Sequence, residues 1–218
     1  MTNLLFDSFN KKKVLVTGHT GFKGSWLVAW LKILNSEVFG ISNYQISSPS
    51  HFEEAQVSKD IIDLRIDIRD NKKLEDAVLE IKPDYVFHLA AQSLVKESYN
   101  ESLYTWETNV IGTINLLNSL RKLDNKCNAV FITSDKCYDN VEWVWGYRET
   151  DNLGGIDPYS GSKAAAEIAI NSFTKSFFGD KRNVNIVSAR AGNVIGGGDW
   201  SANRIIPDIV KAWSVKKT

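Results

Sequence analysis

Tyr159 and Lys163 are the pair of residues whose types and spacing most directly suggest chemistry. They are four residues apart in the segment Tyr-Ser-Gly-Ser-Lys, so on a helix they lie on one face. A neighbouring ammonium group favours a phenolate and lowers the pKa of a tyrosine. Such a tyrosine takes a proton from a hydroxyl group while hydride leaves the same carbon for a nicotinamide. An exposed Tyr–Lys pair on a helix is the alternative, and the pair by itself does not decide between them.

A second polar cluster contains a hydroxyl, a carboxylate and an amine in consecutive residues: Ser134, Asp135 and Lys136. It follows a β-branched run that predicts the fifth strand. In open α/β sheets, ligands bind beyond the carboxyl ends of the strands. We therefore expect this cluster to face the same crevice as Tyr159. A strand-end cap with a solvated ion pair is the alternative interpretation.

A glycine loop lies far upstream, between the first predicted strand and the first helix after it. Gly18, Gly21 and Gly24 give the spacing GxxGxxG. Glycines allow a sharp turn and a close approach of backbone to a diphosphate, and the helix N-terminus supplies free N–H groups. A tight turn alone also needs glycine. The position directly after the first strand favours dinucleotide binding.

The choice between NAD and NADP is left open by the residues. At the end of the second predicted strand the chain reads Gly-Ile-Ser-Asn-Tyr-Gln, without the acidic residue that usually holds the ribose 2′-hydroxyl of NAD. Asn43 is the nearest substitute, and no arginine follows for a 2′-phosphate. Asp67 and Ile68, past the third strand, are positioned to reach the adenine. A helix cap or turn is an equal explanation for Asp67.

The elements that must position these residues alternate between strand and helix. Short β-branched runs predict strands at Lys13–Thr17, Glu37–Ile41, Ile61–Arg65, Tyr85–Leu89, Ala129–Thr133 and Asn185–Arg190. Helical patterns cover Lys23–Leu34, Asn71–Ile81, Leu103–Lys122, Tyr159–Phe178 and Ile205–Trp213. Several strands are apolar on both faces, which is typical of parallel strands covered on both sides. The alternation predicts an α/β fold with a doubly wound parallel sheet.

Composition argues against several classes of protein. The 26 basic residues balance 26 acidic ones, which gives no support to nucleic-acid binding. No apolar run is long enough to span a bilayer, and the basic run near the N-terminus follows the apolar part, the reverse of a secretory signal. Cys127 and Cys137 form no metal-ligand pattern with the three histidines. We expect a cytoplasmic protein with reduced thiols, no metal and no membrane contact.

Several longer motifs together resemble the extended short-chain dehydrogenases/reductases, which have a Rossmann fold. They are HTGFKGSWL, HLAAQSLV, TSDKCYDN, WGYRETDNLGGIDPYSGSKAAAE and RAGNVIGGGDW. The resemblance covers nearly the whole chain, and within the superfamily it is to the CDP-glucose 4,6-dehydratases. Relatives acting on dTDP-glucose carry Thr-Asp-Glu in place of Ser134-Asp135-Lys136, and GDP-mannose dehydratases carry Ser-Glu. Lys136, with Trp143 and Trp145 after it, points to the CDP-glucose branch.

The resemblance implies a nucleotide-sugar dehydratase with an internal NAD redox cycle. Tyr159, with Lys163, would take the C4 hydroxyl proton of CDP-glucose, and Ser134 would bond the developing carbonyl. Asp135 would protonate the departing 6-hydroxyl, giving CDP-4-keto-6-deoxyglucose for deoxysugar or lipopolysaccharide synthesis. Lys136 stands where the family's glutamate removes the C5 proton, so it is expected either to be neutral or to stabilise the enolate.

The resemblance also assigns binding residues, domains and assembly. Residues 1–190 are expected to form the NAD-binding Rossmann domain, and 191–218 to begin a nucleotide-sugar lobe that is largely missing. A homodimer through the two long helices is expected. The expected cofactor contacts are Gly18, Thr20, Gly21, Phe22, Lys23, Gly24, Asn43, Asp67, Ile68, Leu89, Ala90, Ala91, Asn109, Tyr159 and Lys163. The expected substrate contacts are Ser93, Ser134, Asn193 and Arg204.

Two other functions compete with this interpretation. Another nucleotide-sugar enzyme of the superfamily, such as a 4-epimerase or a GDP-mannose or dTDP-glucose dehydratase, has the same general motifs. Asp135 argues against an epimerase, which expels no water. A catalytically silent NAD-binding protein is the other alternative, and the intact Tyr159 and Lys163 argue against it.

Overall fold

A computed structural model describes residues 4–44, 47–59, 61–179 and 183–215 of the chain. Within these residues, six strands form one sheet in the order β3-β2-β1-β4-β5-β6, and every neighbouring pair is parallel. The strands are β1 (Lys13–Thr17), β2 (Glu37–Ile41), β3 (Ile62–Leu64), β4 (Tyr85–His88), β5 (Cys127–Ile132) and β6 (Val184–Ala189). The prediction of a doubly wound parallel sheet is confirmed, and the order reverses between β1 and β4.

Helices cover the sheet and connect the strands. They are α1 (Leu4–Phe9), α2 (Phe22–Ile33), α3 (His51–Glu54), α4 (Asn71–Ile81), α5 (Val95–Asn100), α6 (Ser102–Trp106), α7 (Gly112–Leu120), α8 (Pro158–Phe177) and α9 (Ile205–Ser214). The single helix predicted over Leu103–Lys122 is α6 and α7 joined by a π-helical turn at Glu107–Ile111. The short helices α1, α3 and α5 were not predicted, because four to six residues carry too little periodicity to be recognised.

Local sequence sets the boundaries of the two most regular helices. The side chain of Asp70 accepts a hydrogen bond from the Lys73 backbone at the start of α4, and Lys82 ends that helix in the left-handed conformation. Asp157 caps α8 in the same way, and Pro158 occupies the first turn, where its missing N–H costs nothing. Because these caps fix where α8 begins, they also fix the height of Tyr159 at its first turn.

Two apolar clusters, one on each face of the sheet, form the core. Val14 and Val16 pack with Val28 and Leu31 of α2, whereas Leu15 packs in the other cluster with residues of α4 and α7. This alternation along β1 places successive side chains on opposite faces. The central strands are consequently buried on both sides, and the crevice at their carboxyl ends is the place where polar side chains collect. Among the described residues no helix is long and apolar enough to cross a membrane.

Candidate active site

A cavity of about 580 Å³ lies at the carboxyl ends of β1, β2, β4 and β5. It is of the size that small-molecule sites usually have. The glycine loop after β1 forms its floor, the segments after β2 and β3 form one end, and the segment 191–207 forms the other side. The site therefore lies at the point where the strand order reverses, as expected for ligands of open α/β sheets.

The glycine loop fits a diphosphate closely because side chains are excluded at its two ends. Gly18 has a φ of 74°, and a Cβ there would lie 2.7 Å from the Ala90 backbone nitrogen. A Cβ at Gly24 would overlap the Gly18 carbonyl. The backbone can thus turn tightly between β1 and α2, and the amino end of α2 points at the cavity. These observations match what a dinucleotide needs at this position.

Below the loop, a buried histidine holds the ends of the strands together. The two ring nitrogens of His88 form hydrogen bonds with Thr17 Oγ1 at 2.7 Å and with Thr113 Oγ1 at 3.1 Å. Burial, with a smaller effect of the Lys163 charge, lowers the pKa of His88 to about 3. The imidazole is therefore neutral near neutral pH and joins β1, β4 and α7 directly under the cavity.

The end of the cavity formed after β2 and β3 is polar. Asn43 Nδ2 lies 3.1 Å from Asp67 Oδ2, and Arg69 Nη2 lies 2.7 Å from the same oxygen. Although burial alone would raise it, the hydrogen bonds from Arg69 and Asn43 hold the pKa of Asp67 below its ordinary value. Asp67 thus lines the cavity and also stabilises its own turn, while Asp70 is the helix cap. Sequence reasoning missed Ser42, Tyr44 and Tyr104, which also line this end.

The Tyr159 phenol sits in the opposite part of the cavity, beside the end of β5. Burial raises its pKa above the ordinary value, whereas a hydrogen bond with Ser134 and the Arg204 charge act in the opposite direction. The expected lowering of the Tyr159 pKa is therefore not found, and the lowering charge is that of Arg204 rather than Lys163. Tyr159 is 8% exposed, so the loss of hydration outweighs the Ser134 hydrogen bond and the Arg204 charge.

Lys163 lies behind Tyr159 on the same face of α8. It is 7% exposed and does not line the cavity. Burial and the charge of Lys23 lower its pKa to about 8, and the carboxylate of Glu167 opposes them. Its ammonium group consequently loses its proton much more readily than that of an ordinary lysine.

Asp135–Cys137 form a short 3₁₀ turn after β5. Ser134 is its N-cap: the hydroxyl accepts from the Lys136 backbone at 3.3 Å and donates to Asp135 Oδ1 at 3.1 Å. Ser134 is buried, whereas Asp135 and Lys136 are exposed. Lys136 lines the cavity, but Asp135 lies just outside the lining, with its carboxylate turned toward Gly192.

The segment 191–207 supplies further polar groups. Arg204 Nε is buried without a hydrogen-bond partner among the described residues and lies 3.8 Å from Asp199 Oδ2. Lys96 Nζ lies 3.3 Å from Asn203 Oδ1 across the mouth of the cavity. Lys96 was not singled out from the sequence, although it directly follows the motif HLAAQSLV. These cations make this side of the cavity suited to an anionic ligand.

Most of the predicted binding residues come together. The predicted cofactor contacts that line the cavity are Gly18, Thr20, Gly21, Phe22, Lys23, Gly24, Asn43, Asp67, Ile68, Leu89, Ala90, Ala91 and Tyr159. The predicted substrate contacts that line it are Ser93, Ser134, Asn193 and Arg204.

Asn109 is an exception. It is 1% exposed and bonds the Gln92 backbone at 2.8 and 3.0 Å and Ser162 Oγ at 2.9 Å. With its amide occupied in this way it holds the segment after β4 to α8, and it does not face the cavity.

Comparisons with known proteins agree with this geometry. The family model described as GDP-mannose 4,6 dehydratase matches residues 15–210. A protein of Salmonella typhimurium named CDP-glucose 4,6-dehydratase is 49% identical over 207 residues, which are 93% of this chain and 57% of that protein. The chain therefore spans little more than half of this curated relative.

Solved structures of epimerases have the same fold. A Thermus thermophilus UDP-glucose 4-epimerase in complex with NAD has a TM-score of 0.74 and 31% identity, over 88% of this chain and 58% of that one. A Thermotoga maritima UDP-glucose 4-epimerase with UDP-glucose has a TM-score of 0.82, over 94% and 64%, at 24% identity, which speaks for the fold alone.

Proposed function

Since the chain belongs to the GDP-mannose 4,6 dehydratase family, we propose that it is the cofactor-binding part of a nucleotide-sugar 4,6-dehydratase acting on CDP-glucose. The observation that carries the proposal is that Tyr159 and Ser134 line the same cavity as the glycine loop. The 49% identity to a CDP-glucose 4,6-dehydratase supports the choice of substrate.

The cofactor in this proposal is NAD. Gly18 and Gly24 would hold its diphosphate at the amino end of α2, and Asn43 with Asp67 would face the adenosine. The solved Thermus thermophilus epimerase, which has the same fold, is in complex with NAD, and this supports the choice of cofactor. Bound there, NAD would accept a hydride from C4 of the sugar and would return it to C6 after water has left.

The side chains of this chain carry the proton transfers. Tyr159 takes the C4 hydroxyl proton, and Ser134 stabilises the developing carbonyl by hydrogen bonding. Asp135 protonates the departing 6-hydroxyl. Lys136 also lines the cavity. In this proposal its amine, when unprotonated, accepts the C5 proton, or else it stabilises the enolate while another base takes that proton.

The proposal extends to domain organisation, assembly and location. Residues 1–190 are the NAD-binding domain, and residues 191–218, of which 191–215 are described, begin the nucleotide-sugar region. The apolar side chains of Leu103 and Trp106 on α6 and of Ile168 on α8 are exposed, which supports a homodimer through these helices. Light scattering at micromolar concentration should give twice the chain mass, and a monomer mass would contradict the dimer. A cytoplasmic location is consistent with two free cysteines.

The direct test is incubation of the chain and NAD with CDP-glucose, followed by the alkali-induced absorbance of a 4-keto sugar. We expect a 4-keto-6-deoxy product from CDP-glucose, and less from dTDP-glucose or GDP-mannose. Tyr159→Phe is the matched control, because it removes only the phenolic oxygen. Formation of a 4-epimer of the sugar, or NAD binding with no keto sugar, would contradict the dehydratase proposal.

A further inference from the structure

Glu167 is a buried carboxylate that the reaction proposed above does not use. It lies one helical turn beyond Lys163 and two beyond Tyr159 on the same face of α8, and its side chain is 5% exposed. Burying a carboxylate is costly unless hydrogen bonds and an opposite charge offset the lost hydration. The Glu167 carboxylate, buried directly behind two proposed catalytic residues, therefore needs polar or charged partners.

The partners of Glu167 come from the ends of two strands. Thr133 at the end of β5 donates its hydroxyl to Oε1. Ser188 Oγ lies 3.2 Å from Oε2, and Arg190 Nη2 lies 3.0 Å from the same oxygen. One carboxylate thus joins α8 to β5 and to the end of β6. Thr133 directly precedes Ser134, so this bond anchors the residue next to Ser134, which lines the cavity together with Tyr159.

Arg190 extends the same connection to the segment that leads into α8. Its Nη1 donates to the Glu149 carbonyl at 3.2 Å, and its guanidinium lies over the Tyr138 ring, 4.8 Å from the centroid. Tyr138 in turn stacks on Tyr147 at 5.1 Å. The Glu167–Arg190 pair consequently fixes both the chain that leaves the Ser134 turn and the chain that arrives at Tyr159.

We propose that Glu167 is a positioning residue, which clamps α8 to the end of β5 and so keeps Tyr159 and Ser134 in register where they line the same cavity. This inference rests on the function proposed above. Without the clamp, α8 and β5 remain packed through apolar side chains, but the polar bond that sets their relative height is lost. A displacement of about 1 Å is enough to cost roughly a hundredfold in rate.

Three variants test the clamp. Glu167→Gln removes the charge at almost constant shape. Thr133→Val removes only the hydroxyl from β5, leaves the Glu167–Arg190 pair intact and keeps the inference testable if Glu167→Gln fails to fold. Glu75→Gln is the matched control, because Glu75 is a largely buried glutamate on α4 that pairs with Lys122 at 2.7 Å, away from the site.

Two readouts separate positioning from a general loss of structure. The first is the rate with CDP-glucose and NAD: we expect kcat to fall about ten- to a hundredfold with an almost unchanged KM. The second needs no turnover. In protein labelled with 3-fluorotyrosine, the ¹⁹F signal of residue 159, assigned by its loss in Tyr159→Phe, reports the pKa of that phenol. Since the Ser134 hydrogen bond lowers this pKa, both site variants should titrate at higher pH than the parent.

The proposed function and the Glu167 clamp can fail separately. If the parent chain forms no keto sugar, the function proposal fails, and the ¹⁹F titration alone decides the clamp. A higher titration midpoint in both site variants, with no change in Glu75→Gln, supports it. Folded variants that keep the parent titration overturn it, even if kcat falls.

Discussion

His88 offers the clearest quantitative prediction, because the structure defines both its burial and its hydrogen-bond partners. It is 3% exposed and lies between two threonine hydroxyls, and burial lowers its pKa from 6.5 to about 3. The unfolded chain binds a proton at this histidine below pH 6.5, whereas the folded chain does not until the pH approaches 3. Stability is therefore lost as the pH falls through this window.

The magnitude follows from the same two pKa values. Each pH unit in the window costs about 1.4 kcal/mol per histidine, so lowering the pH from 7 to 5 should cost about 2 kcal/mol through His88 alone. His88→Gln keeps hydrogen-bonding groups near Thr17 and Thr113 but cannot titrate. The free energy of unfolding of the parent should fall by about 2 kcal/mol more than that of His88→Gln between these pH values.

Urea unfolding followed by tryptophan fluorescence at both pH values measures this difference. The comparison between parent and variant removes the contribution of all other titrating groups. His51→Gln is the control, because His51 is only partly buried, and it should change the pH dependence much less. If His88→Gln and the parent lose equal stability between pH 7 and pH 5, the reasoning about a neutral buried imidazole is wrong.

Three further predictions concern the site and the thiols. Asp135→Asn should still reduce NAD with CDP-glucose but accumulate NADH, with product formation down about a hundred- to ten-thousandfold in single-turnover absorbance; a near-parental rate would move the acid role to another group. Gly18→Ala should weaken NAD binding at least about tenfold by titration calorimetry, because its φ of 74° and the nearby backbone exclude a Cβ, whereas Gly146→Ala, with open space around it, should bind like the parent. Burial raises the pKa of Cys127 to about 12 and of Cys137 to about 11, so a thiol reagent at pH 8 should react with neither until urea is added; a fast-reacting thiol in the folded chain would refute this.

Much of the fold could be predicted from the sequence because its signals are local. The β-branched runs of β1 and β2 and the capped helix α4 were predicted with their observed bounds, and the other strands are shifted by one or two residues at their ends. The glycine loop was recognisable because a turn with a positive φ at Gly18 requires a particular residue type at a particular place. Parallel pairing followed from the alternation of strands and helices.

Only the tertiary structure decided how the predicted site residues are used. Asn109 was expected at the cofactor but holds the Gln92 segment to α8, and Lys163 lies behind Tyr159. The pKa of Tyr159 is raised, contrary to the expectation from the spacing to Lys163. Spacing along a helix gives the direction of a side chain but not how much water surrounds it. Burial, which outweighs a neighbouring charge at this site, depends on contacts between segments far apart in the sequence.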